Sequence, residues 1–380
     1  MSHRPPHTAH RTRRYDVIVV GGGPAGSTAA RLLAEAGAKV LLVDRRCFPR
    51  TKLCGGLLTE KTAGLLREWF DSRTMDTVVD HRTNGFALYH RRTFLNDVTS
   101  PEQMHFVSRK KFDGFLFDRA AAGGCTVITG RAVQRVHADT VKIGGDLFRA
   151  DHVIGADGVN SVVRRSLGHA FRRNVALGLQ VSLPLDTLSE PEKFTDPRIF
   201  FGYVKYGWAW VFPKGDHLAV GLGTLSADHS RSKETFARFF QDHFGPGLAR
   251  LPIRWSLLPY GAYLPSPGHG RVLLCGDAAG FTEPITGEGI YMAMRSGQMA
   301  AQAILSAPGS AVSEYISGCR GEIIGVLRQA RFFRFLLFNP PFFSLAMRKI
   351  GKDQKYMTHF VRVLTGQEDY LRFFKNVILS

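Results

Sequence analysis

The segment Gly21-Gly22-Gly23-Pro24-Ala25-Gly26 follows directly on the apolar run Tyr15-Asp16-Val17-Ile18-Val19-Val20 and precedes a helix-prone stretch, Ser27 to Ala36. Strand, glycines and helix in that order leave few folds open to the chain. Each small residue has its own task. Gly21 permits the sharp turn out of the strand, and Gly23 lacks the Cβ that would block a pyrophosphate. Gly26, next to Ala25, lets the helix lie close to the strand. The free N–H groups at the helix start then suit an anion. Val40-Leu41-Leu42-Val43 reads as the second strand and ends at Asp44, eighteen residues past Gly26, with Arg45 beside it as a further contact. A carboxylate there is placed to meet ribose hydroxyls, so the expected ligand is a dinucleotide.

Two later segments narrow the choice. Asp151-His152-Val153-Ile154-Gly155-Ala156-Asp157-Gly158 is a short strand delivering an acid and a glycine into a turn, after which Asn160 and Ser161 open a helix. Arg271-Val272-Leu273-Leu274-Cys275-Gly276-Asp277 is a second buried strand ending at Gly-Asp. It runs on through Pro284-Ile285-Thr286-Gly287-Glu288-Gly289-Ile290 into an alanine-rich helix. With these three parts the sequence resembles the glutathione-reductase-like FAD enzymes of the aromatic-hydroxylase type. The resemblance implies FAD, with Gly276 and Asp277 at its ribityl or pyrophosphate portion and the backbone of Gly287, Gly289 and Ile290 at the flavin ring. It further implies Arg109 near the FAD phosphates, Val133 bordering the adenine, and Asp157 with Gly158 in the cofactor site. Asp157 also reads as a plain helix cap, and the two roles can coexist. No second strand-GxGxxG-helix unit follows, since Gly221-Leu222-Gly223 lacks both the third glycine and the helix. A nicotinamide (NAD(P)H) would therefore dock transiently, or a protein donor would supply the electrons.

The loop Phe48-Pro49-Arg50-Thr51-Lys52-Leu53-Cys54-Gly55-Gly56 is similar to that of the geranylgeranyl reductase family, in which a cysteine and glycine lie beside the isoalloxazine ring. The resemblance implies that Cys54 and Gly55 line the flavin pocket, with Cys54 as the one catalytic candidate; an inert buried thiol is the plain alternative. Tyr206-Gly207-Trp208-Ala209-Trp210-Val211-Phe212-Pro213 fits the same family's aromatic motif, which lines an isoprenoid tunnel. Alternation puts Trp208, Trp210 and Phe212 on one strand face, so Tyr206, Trp208, Trp210 and Phe212 are the substrate-binding candidates; three aromatics packed in a sheet core need no ligand. Flavin-dependent halogenases carry Trp-x-Trp-x-Ile-Pro, one residue away, but usually Gly-Glu-Ser where this chain has Cys54-Gly55-Gly56.

The implied fold is α/β: an FAD-binding, Rossmann-like three-layer domain, an inserted antiparallel-sheet substrate domain and a helical C-terminal tail. At 380 residues with 44% hydrophobic content and 40 glycines, composition fits a soluble enzyme of two packed domains. The expected boundaries are 13–60, 100–170 and 268–305 for FAD, 61–99 and 171–267 for substrate, and 306–380 for the tail. The implied activity is reduction of carbon–carbon double bonds in a geranylgeranyl or polyprenyl substrate by hydride from reduced flavin. The alternatives are an FAD monooxygenase or halogenase on an aromatic or polyketide-like substrate, and a flavin-binding redox partner without turnover. No His, Glu or Tyr identifies itself as the proton donor.

The formal charge of +18 is concentrated at the ends. Residues 1–14 carry Arg4, Arg11, Arg13 and Arg14 with no acid, and residues 320–380 carry eleven Lys/Arg against four Asp/Glu. In the tail, phenylalanines cluster around Asn339-Pro340-Pro341 beside Arg328, Arg331, Arg334, Arg348 and Lys349. Aromatics beside cations suit an anionic membrane interface rather than nucleic acid, with 328–349 as the contact. A helix pair capping the substrate cavity is the other reading. Cys47, Cys54, Cys125, Cys275 and Cys319 show no metal-ligand spacing, so no metal is expected and the thiols read as reduced. The N-terminus has no apolar core of the secretory type and no stretch approaches a membrane span, so the expectation is a cytoplasmic protein, peripheral on the inner membrane face.

Overall fold

The computed structural model describes residues 13–70, 73–225, 229–247 and 250–379, so Arg4 and Arg11 lie outside the described residues. The strand Arg13–Val20 lies in the middle of the first sheet, parallel to Val40–Val43 on one side and to Asp146–Gly155 on the other. Val272–Leu274 extends the sheet beyond Asp146–Gly155, and Thr126–Ile128 beyond Val40–Val43, both parallel. A meander through Val133–His137 and Thr140–Ile143 returns to Asp146–Gly155. These strands are apolar on both faces because both faces are covered: Val17, Ile18, Val19, Leu41, Leu42, Val153, Ile154, Leu273 and Leu274 are all buried. Helix Pro24–Glu35 packs against Arg109–Ala122 and against Ile290–Ser306, where Gly297 leaves room for the Ala25 backbone.

In the second sheet the neighbours are Arg254–Leu258, Ala176–Pro184, His217–Thr224, Gly207–Pro213, Arg198–Phe201, His81–His90, Thr93–Phe106 and Leu57–Leu58. All pairs are antiparallel except Arg198–Phe201 with His81–His90, where a long connection brings the chain back in the same direction. Two boundaries differ from the sequence expectation. Thr93–Phe106 is one continuous strand of this sheet, and Leu57–Leu58 pairs with its end, so residues 100–106 and 57–58 belong here rather than with the first sheet. The first sheet's territory resumes at Arg109, where the helix starts.

Alternation along Gly207–Pro213 divides the two faces of this sheet. Ala209 and Val211 point to a core closed by Phe236, Phe239 and Phe240 of helix His229–Phe244. Trp208, Trp210 and Phe212 point to the opposite core, which the tail covers with Phe333, Phe338, Met347 and Phe360. Phe201 meets Phe343 edge-on at 5.6 Å and Phe86 meets Phe360 at 6.2 Å. The tail helices Gly325–Leu337, Pro340–Ile350 and Gln354–Leu364 thus lie over the aromatic face. Among the described residues no helix is long and apolar enough to cross a membrane.

Candidate cofactor and substrate site

The glycine-rich turn is built as its residue types require. Gly21 has φ +105°, and its N–H donates to Val43 O at 2.7 Å. A methyl on Gly26 would overlap Gly21 O, and one on Gly21 would overlap Ala156 O. Gly23 is the N-cap of Pro24–Glu35 and supplies no side-chain cap, which leaves the first N–H groups of the helix available. Asp44 is buried at the end of its strand, where Oδ2 accepts from Gly22 N–H at 2.7 Å and Oδ1 from Arg46 N–H at 2.8 Å. Arg45 beside it is exposed.

Around this turn the structure gathers the other two motifs. Asp157 Oδ2 accepts from Val162 N–H at 2.6 Å, capping the short helix, while its Oδ1 is buried without a partner. One oxygen thus caps the helix, and the other is left open to a further partner. Burial pushes this carboxyl up, against the hydrogen bonds of Ser161 and Val162. Asp277 accepts from Lys52 Nζ at 3.0 Å and from Thr282 Oγ1 at 3.0 Å. Burial alone would raise it, but Lys52, Thr282 and Arg109 together hold it below the ordinary carboxylate range. Arg164 links the two turns, donating to Ala278 O and Val159 O.

A cluster of cations completes the cradle. Arg109 is buried and bidentate on Asp113, at 2.6 and 2.9 Å. Burial disfavours its charge, yet Asp113 and Cys54 outweigh that and raise its pKa. Arg50 shares Asp113 at 3.1 Å, and its guanidinium lies 3.3 Å from where a Gly23 side chain would start. Arg50 thus stands beside the glycine-rich turn and Lys52 beside the Gly276-Asp277 turn, each paired with a carboxylate. Sequence analysis gives neither a role, because both acquire their partners across the fold, in a loop where Phe48 stacks on Phe117 at 4.0 Å.

The Cys54–Gly56 loop lies against the aromatic strand. A methyl on Gly55 would stand 2.8 Å from the Phe212 ring and 3.8 Å from Trp210 Nε1. Trp208 and Trp210 meet edge-on at 5.4 Å, and Trp208 Nε1 donates to Ile285 O at 3.2 Å. The indole of Trp210 occupies the space opposite Gly221 on the paired strand, and its Nε1 is buried without a partner. Tyr206 is half-buried, 6.0 Å edge-on from Phe338 of the tail. Cys54 Sγ accepts from Gly56 N–H at 3.3 Å and interacts with Arg109.

Lys214, immediately after Pro213, is a functional candidate that the sequence analysis missed. Its buried ammonium donates to Gly55 O and, at 3.1 Å, to Val107 O, and burial lowers its pKa to about 8. Glu283 is likewise buried; Ile285 N–H, Thr286 N–H and Thr286 Oγ1 all donate to it, shaping the loop before Gly287. Gly287, with φ +73°, and Gly158, with φ +79°, both face open space, while Gly289 caps helix Ile290–Ser306 next to Asp277 and Thr282. Ile290 is buried beyond it, Gly276 (φ +55°) packs on Ala25 and Ala293, and the Val133 side chain is in the first core.

The tail requires one correction. Arg334, grouped by sequence with the surface cations, is buried: its guanidinium donates to Tyr260 O and, at 2.9 Å, to Asn174 Oδ1. Phe333 and Phe338 are buried as well, whereas Arg328, Arg331, Phe332 and Phe335 are exposed. Their spacing places these four on one helix face.

The uncapped helix at Gly23, the free Asp157 oxygen, the open ground at Gly158 and Gly287 and the cations Arg50, Lys52 and Arg109 fit FAD. Residues 14–201 match the FAD binding domain family. The chain is 31% identical to geranylgeranyl diphosphate reductase of Synechocystis sp., over 76% of this chain and 75% of that one. It is 29% identical to menaquinone reductase of Mycolicibacterium smegmatis, over 92% and 91%. In fold it is similar to a geranylgeranyl bacteriochlorophyll reductase-like protein from Thermoplasma acidophilum, with a TM-score of 0.78, 23% identity and coverage of 96% and 98%. Sequence, cradle and fold agree: this chain is an FAD-dependent oxidoreductase and belongs to the geranylgeranyl reductase family.

Proposed function

We propose that this protein reduces carbon–carbon double bonds in the isoprenoid chain of a geranylgeranyl or polyprenyl compound. The observation that carries the reading is the approach of Gly55 to Phe212 and Trp210, which gives the cofactor loop and the apolar strand one shared wall. The two relatives are named a geranylgeranyl diphosphate reductase and a menaquinone reductase, and both named compounds carry an isoprenoid chain. Arg50, Lys52 and Arg109 would hold the cofactor's phosphates, Asp44 would meet its ribose and the 287–290 loop would border its ring. Bound FAD, once reduced, supplies the hydride equivalent. Trp208, Trp210, Phe212 and Tyr206 exclude water and orient the chain, which matters because an isolated alkene is a poor hydride acceptor. Cys54 lines the pocket between them. A nicotinamide or a protein donor delivers electrons transiently. The face formed by Arg328, Arg331, Phe332 and Phe335 rests on an anionic membrane surface, from which a water-insoluble substrate enters.

The test is anaerobic. FAD-loaded protein is reduced with dithionite and offered geranylgeranyl diphosphate or a polyprenyl quinone. The expected result is return of oxidised-flavin absorbance with gain of two hydrogens per double bond. Unchanged lipids beside reduced flavin, with oxygenated or halogenated aromatic products in aerobic runs containing halide, would select the monooxygenase or halogenase reading instead.

A further inference from the structure

Glu288 is an acid for which the arrangement above has no use. It precedes Gly289, the N-cap of helix Ile290–Ser306, which has no side-chain cap and no acidic residue in its first turn. A carboxylate near such a helix start is normally ionised, complementing the exposed N–H groups. Here the carboxyl is engaged by Thr59, the N-cap of helix Glu60–Trp69, and its Oε1 is enclosed with no hydrogen-bond partner. Enclosure outweighs the Thr59 bond and the Lys61 charge, and with Glu283 it pushes Glu288 up to about 7. The groups facing it are Lys61 from helix Glu60–Trp69, Glu283 from its own loop, Tyr291 from the helix it precedes and Tyr370 from the tail. Both tyrosines are raised by burial and stay neutral, so Lys61 and Glu283 are the facing charges. When protonated, Glu288 leaves the positive end of the helix to a ligand. The ground beside it is open at Gly287, and Gly289 borders Asp277.

On the reading that FAD occupies this cradle, we infer that Glu288 is the proton acceptor coupled to flavin reduction. Its carboxylate takes up a proton as two electrons arrive, so that the reduced protein carries both the hydride and the proton one alkene consumes. The exchange balances. A two-electron donor is oxidised, one proton goes to flavin N5 and a second forms the O–H bond of Glu288. On reoxidation by the alkene a hydride and a proton leave, restoring FAD and the carboxylate. The physical cause is like charge: reduction places negative charge at the pyrimidine edge, and a neighbouring carboxylate then binds its proton more tightly.

The midpoint potential of FAD-loaded protein, followed against pH, tests this. Below about pH 7 Glu288 is protonated in both redox states, and one proton accompanies two electrons. Above about pH 7 the oxidised state has lost that proton and reduction restores it, so the fall in potential per pH unit doubles. Glu288→Gln keeps the smaller slope throughout and has the higher potential at alkaline pH. The FAD-free protein gives a second readout. Wild type loses stability as pH rises from about 4.5 to about 7, because the unfolded chain releases the proton first, and Glu288→Gln does not. If the variant does not fold, the wild-type slope decides alone. Retained FAD with one slope across the range overturns the inference. Wild-type protein that holds no FAD overturns the cofactor reading, and the inference with it.

Discussion

Lys214 joins two segments 159 residues apart, carrying a charge from the end of the aromatic strand to the carbonyl of Gly55. Lys214→Met would leave Gly55 O and Val107 O without that donor, at a cost of about 1–3 kcal/mol. Its pH signature is distinctive. The folded state holds this lysine near 8 and the unfolded chain near 10.5, so the unfolded state binds the proton more tightly between those values. Wild-type stability therefore rises as pH climbs from about 8 to about 10.5, and that rise should be missing in Lys214→Met. Thermal melting of FAD-free protein at neutral and alkaline pH measures it; parallel curves for the two proteins would reject the role. Residues like Gly21, Gly26, Asp44 and Asp277 were legible because each is demanded by a local turn with a fixed spacing. Lys214, Arg50 and Glu288 were not, since each acquires meaning only from partners brought in by the tertiary fold.

At the scale of elements, the strand Gly207–Pro213 was legible from period-two alternation alone, down to which residues share a face. The register that sets Gly221 opposite Trp210 was not, because pairing partners leave no periodic signal. Nor was the long strand Thr93–Phe106, which runs across the expected boundary between residues 99 and 100 and takes its pairing from strands distant in sequence. Trp210→Ala empties space between the Cys54 loop and the tail and should cost about 3–5 kcal/mol of stability. In protein that remains folded, isoprenoid turnover should fall far more than the rate of flavin reduction, because no cradle residue is altered. Stopped-flow measurement of the two half-reactions separates them, and equal losses would make the strand mere support. In the tail, one side of Gly325–Leu337 closes the aromatic core, as the capping reading expects, while the other is left outside.

Across the whole molecule, charge and exposed aromatics coincide on that outer side. Phe332 is 60% exposed and Phe335 62%, with Arg328 and Arg331 a turn away. Each basic residue near an anionic surface contributes about 1 kcal/mol, so replacing Arg328 and Arg331 with Ala should weaken partitioning onto acidic vesicles roughly thirtyfold. Added salt should imitate the double variant, because exposed charges are screened beyond about 10 Å at 0.1 M. Flotation assays decide; wild-type protein that ignores acidic vesicles would leave the helix as a lid alone. Arg334 sets what such contact means. Pinned to Tyr260 O and Asn174 Oδ1, it keeps the helix from peeling away toward a bilayer as a separate arm. Whatever surface the helix touches, the rest of the molecule meets at one fixed tilt.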